Sequence, residues 1–473
     1  MRKLFGTDGI RGIAGEPPLD ERTTFIIGRA LGRHLLKTFA APHVLIGQDT
    51  RESSEWIANS LAGGLLSEGI AMESAGVLTT PGVAYLTRIG KFAAGVVVSA
   101  SHNPWQDNGI KVFACDGFKM PDAVELEIEQ EIFAQTEKMA AKTAGFHLGQ
   151  PKAGQSRTPD LKESTLPGDL RLRGAYVDWL IQSVAQADLS SLKVIVDCAH
   201  GAATPIAHEV FRRCGVDATF LFDEPNGRNI NDHCGALYPQ VVAEALRRGN
   251  SESHLQRYAL GITFDGDADR VLFADAEGNV VNGDAILLMA ARSMQAQGTL
   301  VGNVVVATTM SNMGLEIALQ AAGIHMLRAP VGDKYVLEEM RRTGATLGGE
   351  QSGHIIFRDG NATTGDGLVT ALRLLAKMAR SGCSLRELTQ DLKVFPQIIK
   401  NISVREKKPL EEVAEVADAI RQAENELHGA GRIVVRYSGT ESLARVMVEA
   451  ESESQMQRLA DSVSEAIQKT LGN

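Results

Sequence analysis

Ala93-Ala94-Gly95-Val96-Val97-Val98 runs without a break into Ser99-Ala100-Ser101-His102-Asn103-Pro104, and Asn108-Gly109-Ile110-Lys111 follows. The apolar, β-branched run reads as a buried parallel strand. Small polar residues and the Asn-Pro pair stop it. In open α/β sheets, ligands collect where strands end at their carboxyl side. Ser101 stands at such an end, with His102 beside it and Lys111 further along. A hydroxyl is a poor nucleophile until a base, a charge or a metal activates it, and His102 and Lys111 are candidates for the first two. An ordinary strand-to-loop turn would use the same residues, so this stretch alone leaves both readings open.

The pattern recurs on both sides of this stretch. The apolar run 43–46 ends at Gly47-Gln48-Asp49-Thr50-Arg51, and 194–197 ends at Cys198-Ala199-His200-Gly201. Further on, 260–264 ends at Asp265-Gly266-Asp267-Ala268-Asp269-Arg270, and 304–308 at Thr309-Met310-Ser311-Asn312. Helical periodicity at 24–36, 54–66, 172–184 and 204–213 and an acidic helix near 122–137 lie between them. Three successive blocks of this kind predict three related α/β units. After about residue 374, short strands at 397–404, 433–436 and 445–450 alternate with helices at 410–427 and 454–471, which predicts a smaller α+β domain. A Gly-, Pro-, Ser-, Lys- and Asp-rich linker at 149–169 and a polar stretch at 247–254 mark boundaries. The expected domains are therefore 1–160 with the Ser101 loop, 161–256, 257–373 with the acidic loop at its start, and 374–473.

A length of 473 residues agrees with several domains, at roughly 100–200 residues each. A formal net charge of −10 argues against general nucleic-acid binding, which wants a basic surface. The cysteines, Cys115, Cys198, Cys214, Cys234 and Cys383, are scattered without zinc or Cys-x-x-Cys spacing. That composition predicts a reduced compartment. With no apolar leader and no run of membrane-spanning length, the expectation is a cytoplasmic protein without membrane contact.

Five further stretches carry chemistry. Asp265, Asp267 and Asp269 alternate after a strand, and in an extended backbone such positions project to one side. Three carboxylates so placed would repel unless a cation sat among them, and oxygen ligands suit Mg²⁺ or Mn²⁺. A calcium EF-hand is excluded, because Arg270 stands where that loop needs Gly and Ala276 where it needs Glu. Arg270 would offset charge or hold a phosphate oxygen. In Gly349-Glu350-Gln351-Ser352-Gly353-His354, the side chains of Glu350, Ser352 and His354 are expected on one side, as readers of sugar hydroxyls or an amine. Arg436-Tyr437-Ser438-Gly439-Thr440-Glu441 offers a guanidinium fork, hydroxyls and backbone N–H groups suited to phosphate. Val331-Gly332-Asp333-Lys334 is a weaker ligand loop. The opening Phe5-Gly6-Thr7-Asp8-Gly9-Ile10-Arg11-Gly12 combines turn-permitting glycines with an Arg that could face an anion.

Together these loops resemble the α-D-phosphohexomutases, nearly end to end. Gln351, the opening motif, the stretch 225–230 and Asn231 resemble the glucosamine branch of that family. Ser442 stands where the family usually has Pro, and Lys334 where Arg is more usual, so the phosphate grip at Lys334 loses its bidentate fork. The resemblance implies four domains around a central cleft, three α/β with mixed sheets and a C-terminal α+β domain. It implies conversion of glucosamine 6-phosphate to glucosamine 1-phosphate through a 1,6-bisphosphate, feeding UDP-N-acetylglucosamine and the cell wall. Ser101 would be stored as phosphoserine, with Mg²⁺ held by Asp265, Asp267, Asp269 and a phosphoryl oxygen on Ser101. Lys111 or His102 would serve as general base, Lys111 being favoured with its pKa lowered. Arg11 and His102 would hold the transferring phosphoryl. Arg270, Gly332, Asp333, Lys334, Glu350, Ser352 and His354, with Arg436, Ser438, Gly439, Thr440 and Arg445, would bind the substrate. Other enzymes of the class (a phosphoglucomutase or phosphomannomutase, or a phosphatase) and a non-catalytic sugar-phosphate sensor are the alternatives. A second copy of the chain, as a homodimer, is the protein partner to test.

Overall fold

The computed structural model describes residues 4–6, 8–144, 168–252, 257–358, 360, 362–438 and 442–472. Most of the expected linker, part of the polar stretch before 257, and Gly439, Thr440 and Glu441 lie outside the described residues. Among those described, the strands form sheets of six, five, four and three members, the first three being α/β and mixed or partly parallel.

The first sheet runs Phe5–Gly6, Gly9–Ile13, Asp107–Ala114, Ala94–Val98, His43–Gln48, Ala71–Val77. Ala94–Val98 is buried throughout, as its composition requires. It is parallel to His43–Gln48 but antiparallel to Asp107–Ala114, so the expected parallel strand is parallel on one side only. Val97 lies opposite Lys111, and the loop carrying Ser101 therefore joins two neighbouring strands. The polar residues Asn108 and Lys111 hid the second strand. Asn108 is satisfied by Ser53 and Ser54 hydroxyls at 2.8 and 3.1 Å, and Lys111 by carboxylates.

Two helices, Glu21–Leu36 and Glu52–Ser67, pack with this sheet. Asp20 caps the first through the Thr23 N–H. Their backbones touch. A Cβ on Gly28 would lie 2.0 Å from the Leu61 carbonyl oxygen, and one on Gly64 2.1 Å from that of Phe25. Around this contact Ile27, Leu31, Leu61 and Leu65 join Val44, Ile46 and Val96 in one apolar cluster.

In the second sheet, Lys193–Asp197 lies parallel to both Asp217–Leu221 and Leu260–Phe264. Leu260–Phe264 then folds back on Val271–Asp275 as an antiparallel hairpin. The acidic loop is the turn of that hairpin. It belongs to the second sheet rather than to the start of a third domain at 257, because the strand before it hydrogen-bonds to Lys193–Asp197. The third sheet pairs Val304–Thr308 in parallel with Leu347–Gly349, which forms a hairpin with Ile355–Phe357. The last sheet is antiparallel, with Leu443–Ala450 between Gln397–Ser403 and Gly431–Tyr437. Val446 and Val448 cluster there with Leu459, Val463 and Ile467 of the helix Glu453–Leu471.

The chain divides into two compact units, Met1–Thr309 with Leu327–Leu388, and Met310–Met326 with Thr389–Asn473. The second begins later than the expected boundary at 374 and takes in the helix Met313–Ala321. Asn312 explains why. Its side chain caps that helix through the Gly314 N–H at 3.0 Å and pairs with both backbone groups of Phe395 at 2.9 Å. No helix among the described residues is long and apolar enough to cross a membrane.

Candidate active site

Ser101 is buried and has a φ of +52°, a left-handed conformation that a non-glycine residue adopts only where its surroundings impose it. Its hydroxyl donates to Asp265 Oδ2 at 2.5 Å. The other two carboxylates of the trio converge with Asp265, all three buried and with ligand oxygens within 4.8 Å of one another. They do not converge by the extended alternation expected. The segment is a tight turn, with the Ala268 N–H donating to the Asp265 carbonyl at 3.0 Å and Ala268 itself at φ +56°. A hairpin turn gathers the three more closely than an extended strand, where alternate residues are roughly 7 Å apart.

Charge on the trio is partly met from the chain. Arg270 N–H reaches Asp265 Oδ1 at 3.1 Å, and the Thr80 hydroxyl reaches Asp267 Oδ2 at 2.5 Å. Lys111 Nζ lies 2.8 Å from Asp267 and 3.3 Å from Asp269. Asp267 Oδ1 and Asp269 Oδ1 remain buried without a hydrogen-bond partner. Burial, and then the neighbouring Asp269 and Asp267, push the Asp265 carboxyl well above the usual range. Two buried carboxylate oxygens short of a hydrogen bond, and a third carboxyl raised by burial and like charge, fit a hard divalent cation.

Lys111 and His102 are the expected candidates for the base. Burial opposes the ammonium of Lys111, but Asp267, Asp8 and Asp269 overcome it and hold the pKa well above the ordinary value. Lys111 is a fixed cation here, not an amine lowered toward neutrality. His102 is also close to the serine. Its Nδ1 lies 3.4 Å from the Ser101 hydroxyl and 3.3 Å from Arg270 Nη1. Burial, then Arg270 and Arg11, bring its pKa down to about 4.

Arg11, His102, Asp269, Arg270, Gly332, Asp333, Glu350 and His354 line one cavity of about 460 Å³. Asp8, which the sequence offers only as part of the opening motif, lines it too. Around it runs a ring of contacts, all ion pairs except at the His354 imidazole. Lys111 meets Asp8 at 3.1 Å, Asp8 meets Lys119 at 2.6 Å, and Lys119 meets Asp333 at 2.6 Å. Asp333 faces His354 at 3.7 Å, His354 faces Asp269 at 3.6 Å, and Asp269 returns to Lys111. His354 Nε2 accepts the Gly365 N–H at 3.0 Å, which leaves Nδ1 toward Asp269. Glu350 Oε1 accepts the Gly332 N–H at 3.1 Å, joining the sugar loop to the Gly332 loop.

Some expected residues are elsewhere. Ser352 is exposed while Glu350 and His354 are buried, because the Gly353 N–H bonds to the Glu350 carbonyl and makes this loop a turn in which alternation fails. Lys334 points away from the cavity lining, to Asp122 and to Glu125 at 3.5 Å, in the first turn of the acidic helix Asp122–Ala144. There it complements carboxylates. In the C-terminal unit, Arg436 and Arg445 stand directly opposite each other across the antiparallel pair. Ser438 follows, its N–H on the Leu443 carbonyl at 2.8 Å.

Four family models match the chain, described as phosphoglucomutase/phosphomannomutase α/β/α domain I over residues 2–139, domain II over 174–278, domain III over 282–395 and the C-terminal domain over 399–466. A phosphoglucosamine mutase of Koribacter versatilis is 57% identical over 100% of this chain and 98% of its own length. One from Solibacter usitatus is 50% identical over 100% and 99%. Among solved structures, a phosphoglucomutase/phosphomannomutase family protein from Burkholderia thailandensis shares the fold, with a TM-score of 0.76 at 23% identity over 100% of this chain and 99% of that one. The N-acetylphosphoglucosamine mutase of Aspergillus fumigatus, solved with GlcNAc-6P and magnesium, shares it with a TM-score of 0.62 at 18% identity over 99% and 96%.

Proposed function

This chain belongs to the phosphoglucomutase/phosphomannomutase family, among its phosphoglucosamine mutases, and on that footing we propose that Ser101 carries the phosphoryl group it transfers. The enzyme is an isomerase that interconverts glucosamine 6-phosphate and glucosamine 1-phosphate. The hydroxyl of the sugar attacks phosphorus, the bond to Ser101 Oγ breaks, and a 1,6-bisphosphate forms. The proton of the sugar hydroxyl passes to Ser101 Oγ in that step; Ser101 Oγ then attacks the other phosphorus, the bond from that phosphorus to the sugar oxygen breaks, and the serine proton passes to the sugar oxygen released. The observation that carries this reading is the contact of a buried Ser101 hydroxyl with the carboxylate trio, 2.5 Å from Asp265.

Asp265, Asp267 and Asp269 would hold Mg²⁺, which when bound supplies charge stabilisation to the transferring group. The protein's own cations are arranged to the same end. Arg270 and Arg11 line the cavity, and Lys111 is held charged beside the trio. A neutral His102 with Nδ1 near Ser101 Oγ is the group placed to take the serine proton. Glu350, His354, Asp333 and Gly332 read the sugar, and Arg436, Ser438 and Arg445, with Gly439 and Thr440, read the phosphate that is not in transit. The product supplies UDP-N-acetylglucosamine synthesis in the cytoplasm. A homodimer is checked by light scattering at the mass of two chains.

Intact-mass measurement of the protein and its Ser101→Ala variant, with a glucosamine 6-phosphate assay, tests the reading. Phosphate on the parent only, and activity lost in the variant, are expected. An active Ser101→Ala protein would overturn it. Higher kcat/KM on mannose or glucose phosphates would reassign the sugar.

A further inference from the structure

We propose that Arg51 and Asn231 are positioning residues that clamp the Ser101 loop from behind and hold its hydroxyl in line for both phosphoryl transfers. The inference rests on Ser101 being the phosphoryl carrier. It concerns residues that touch neither the cavity nor the reacting oxygen.

The left-handed turn at Ser101 aims the carbonyls of Ser101 and Asn103 the same way, and each meets the same two donors. Arg51 Nη2 lies 3.1 Å from the Ser101 oxygen and 2.5 Å from that of Asn103. Asn231 Nδ2 lies 2.9 and 3.1 Å from the same two oxygens. One donor comes from the end of the helix Glu52–Ser67 beside the first sheet, the other from a loop of the second sheet's region, so both flanks fix the serine.

The two donors are themselves held. Arg51 and Asp49 form an ion pair in which both side chains are fully buried. Asp49 Oδ1 also accepts the Arg51 N–H at 3.0 Å and the Ser54 hydroxyl at 2.6 Å. The Asn231 N–H donates to the Ala199 carbonyl at 3.0 Å. Gly266, between Asp265 and Asp267, closes the remaining side. A Cβ there would lie 2.6 Å from the Ser101 oxygen and 2.8 Å from Asn231 Nδ2. The carbonyl is thus gripped on one side while the hydroxyl on the other meets Asp265. Because Asp49 compensates its charge, Arg51 offers direction and not an extra cation for the phosphoryl group. Loosening the grip moves the serine oxygen without touching the sugar's contacts, so it lowers kcat and leaves KM in place.

Arg51→Lys keeps a cation for Asp49 and removes the second guanidinium nitrogen, Nη2, the one that meets both carbonyls. Asn231→Ala removes the second donor from the opposite side. For each, kcat and KM on glucosamine 6-phosphate are measured well below the melting temperature. Phosphate loading of Ser101 from glucosamine 1,6-bisphosphate is followed by intact mass. Expected are a fall in kcat and in loading rate of about tenfold or more, with KM within about twofold. Unchanged kcat in whichever variant folds overturns the proposal. So does a rise in KM that matches the loss, or failure of both variants to fold, which would make the two groups structural alone. Ser101→Ala in the same assay separates the layers. If it stays active, the carrier assignment fails; if it is dead while the clamp variants run at full rate, only the clamp fails.

Discussion

Ser101 and Lys334 give the same signal in sequence, a polar side chain in a loop after an apolar run, and they end in opposite surroundings. Ser101 meets a carboxylate of the trio, whereas Lys334 is absorbed by Asp122 and Glu125. Lys334→Met is therefore expected to leave KM for glucosamine 6-phosphate within about twofold. It should lower stability to urea by about 1–2 kcal/mol, the Asp122 side of the pair being solvent-exposed. A large rise in KM would return Lys334 to the binding site. Asp8 and Lys119 were illegible for a related reason. The opening motif offers Arg11 as its charged group for an anion, and nothing beside Lys119 in the sequence shows that its partners are Asp8 and Asp333, far away along the chain. Asp366 offers a test of burial itself. It accepts the Tyr176 hydroxyl at 2.7 Å and the Val369 N–H at 3.0 Å, and burial raises its pKa to about 6. A carboxyl whose folded pKa exceeds its unfolded one favours the fold fully below about pH 4 and progressively less up to about pH 6. Asp366→Asn lacks that decline. Between pH 4 and 7 the parent should lose about 2 kcal/mol more than the variant, and equal urea profiles would refute the assignment.

At the level of elements, periodicity marked the helices Glu21–Leu36 and Thr204–Arg213 and the strands Leu260–Phe264 and Val304–Thr308 well, because each buries one consistent face or run. It did not mark Asp107–Ala114, whose buried Asn and Lys imitate a loop, nor the hairpin that gathers Asp265, Asp267 and Asp269. The site's residues were thus largely legible as a set, while the geometry joining them was not. Burial of polar groups depends on partners distant in sequence. The helix pair shows a second limit. Gly64 sits inside a helix, where Ala is worth up to about 1 kcal/mol more by propensity alone. Its missing Cβ is what lets the helix reach Phe25, so Gly64→Ala should destabilise by about 2–3 kcal/mol in urea unfolding. A gain in stability would show that the two helices separate freely.

For the whole molecule, two compact units predict two calorimetric transitions. The carboxylate trio lies entirely in the first unit, so Mg²⁺ at about 100 times its Kd should stabilise one transition by about 2.7 kcal/mol and leave the other in place. Asp267→Asn should abolish that response, and a shift of both transitions together would deny their independence. The second unit is also discontinuous along the chain. Residues 310–326 depart from the third sheet's sequence, serve the C-terminal unit and return. A protease nick after Leu388 therefore liberates no native fragment, since Phe395 would part from the one amide that answers both its backbone groups. Grafting this unit from one relative to another takes two matched splices, and a hybrid made with one would carry a mismatched seam at Asn312.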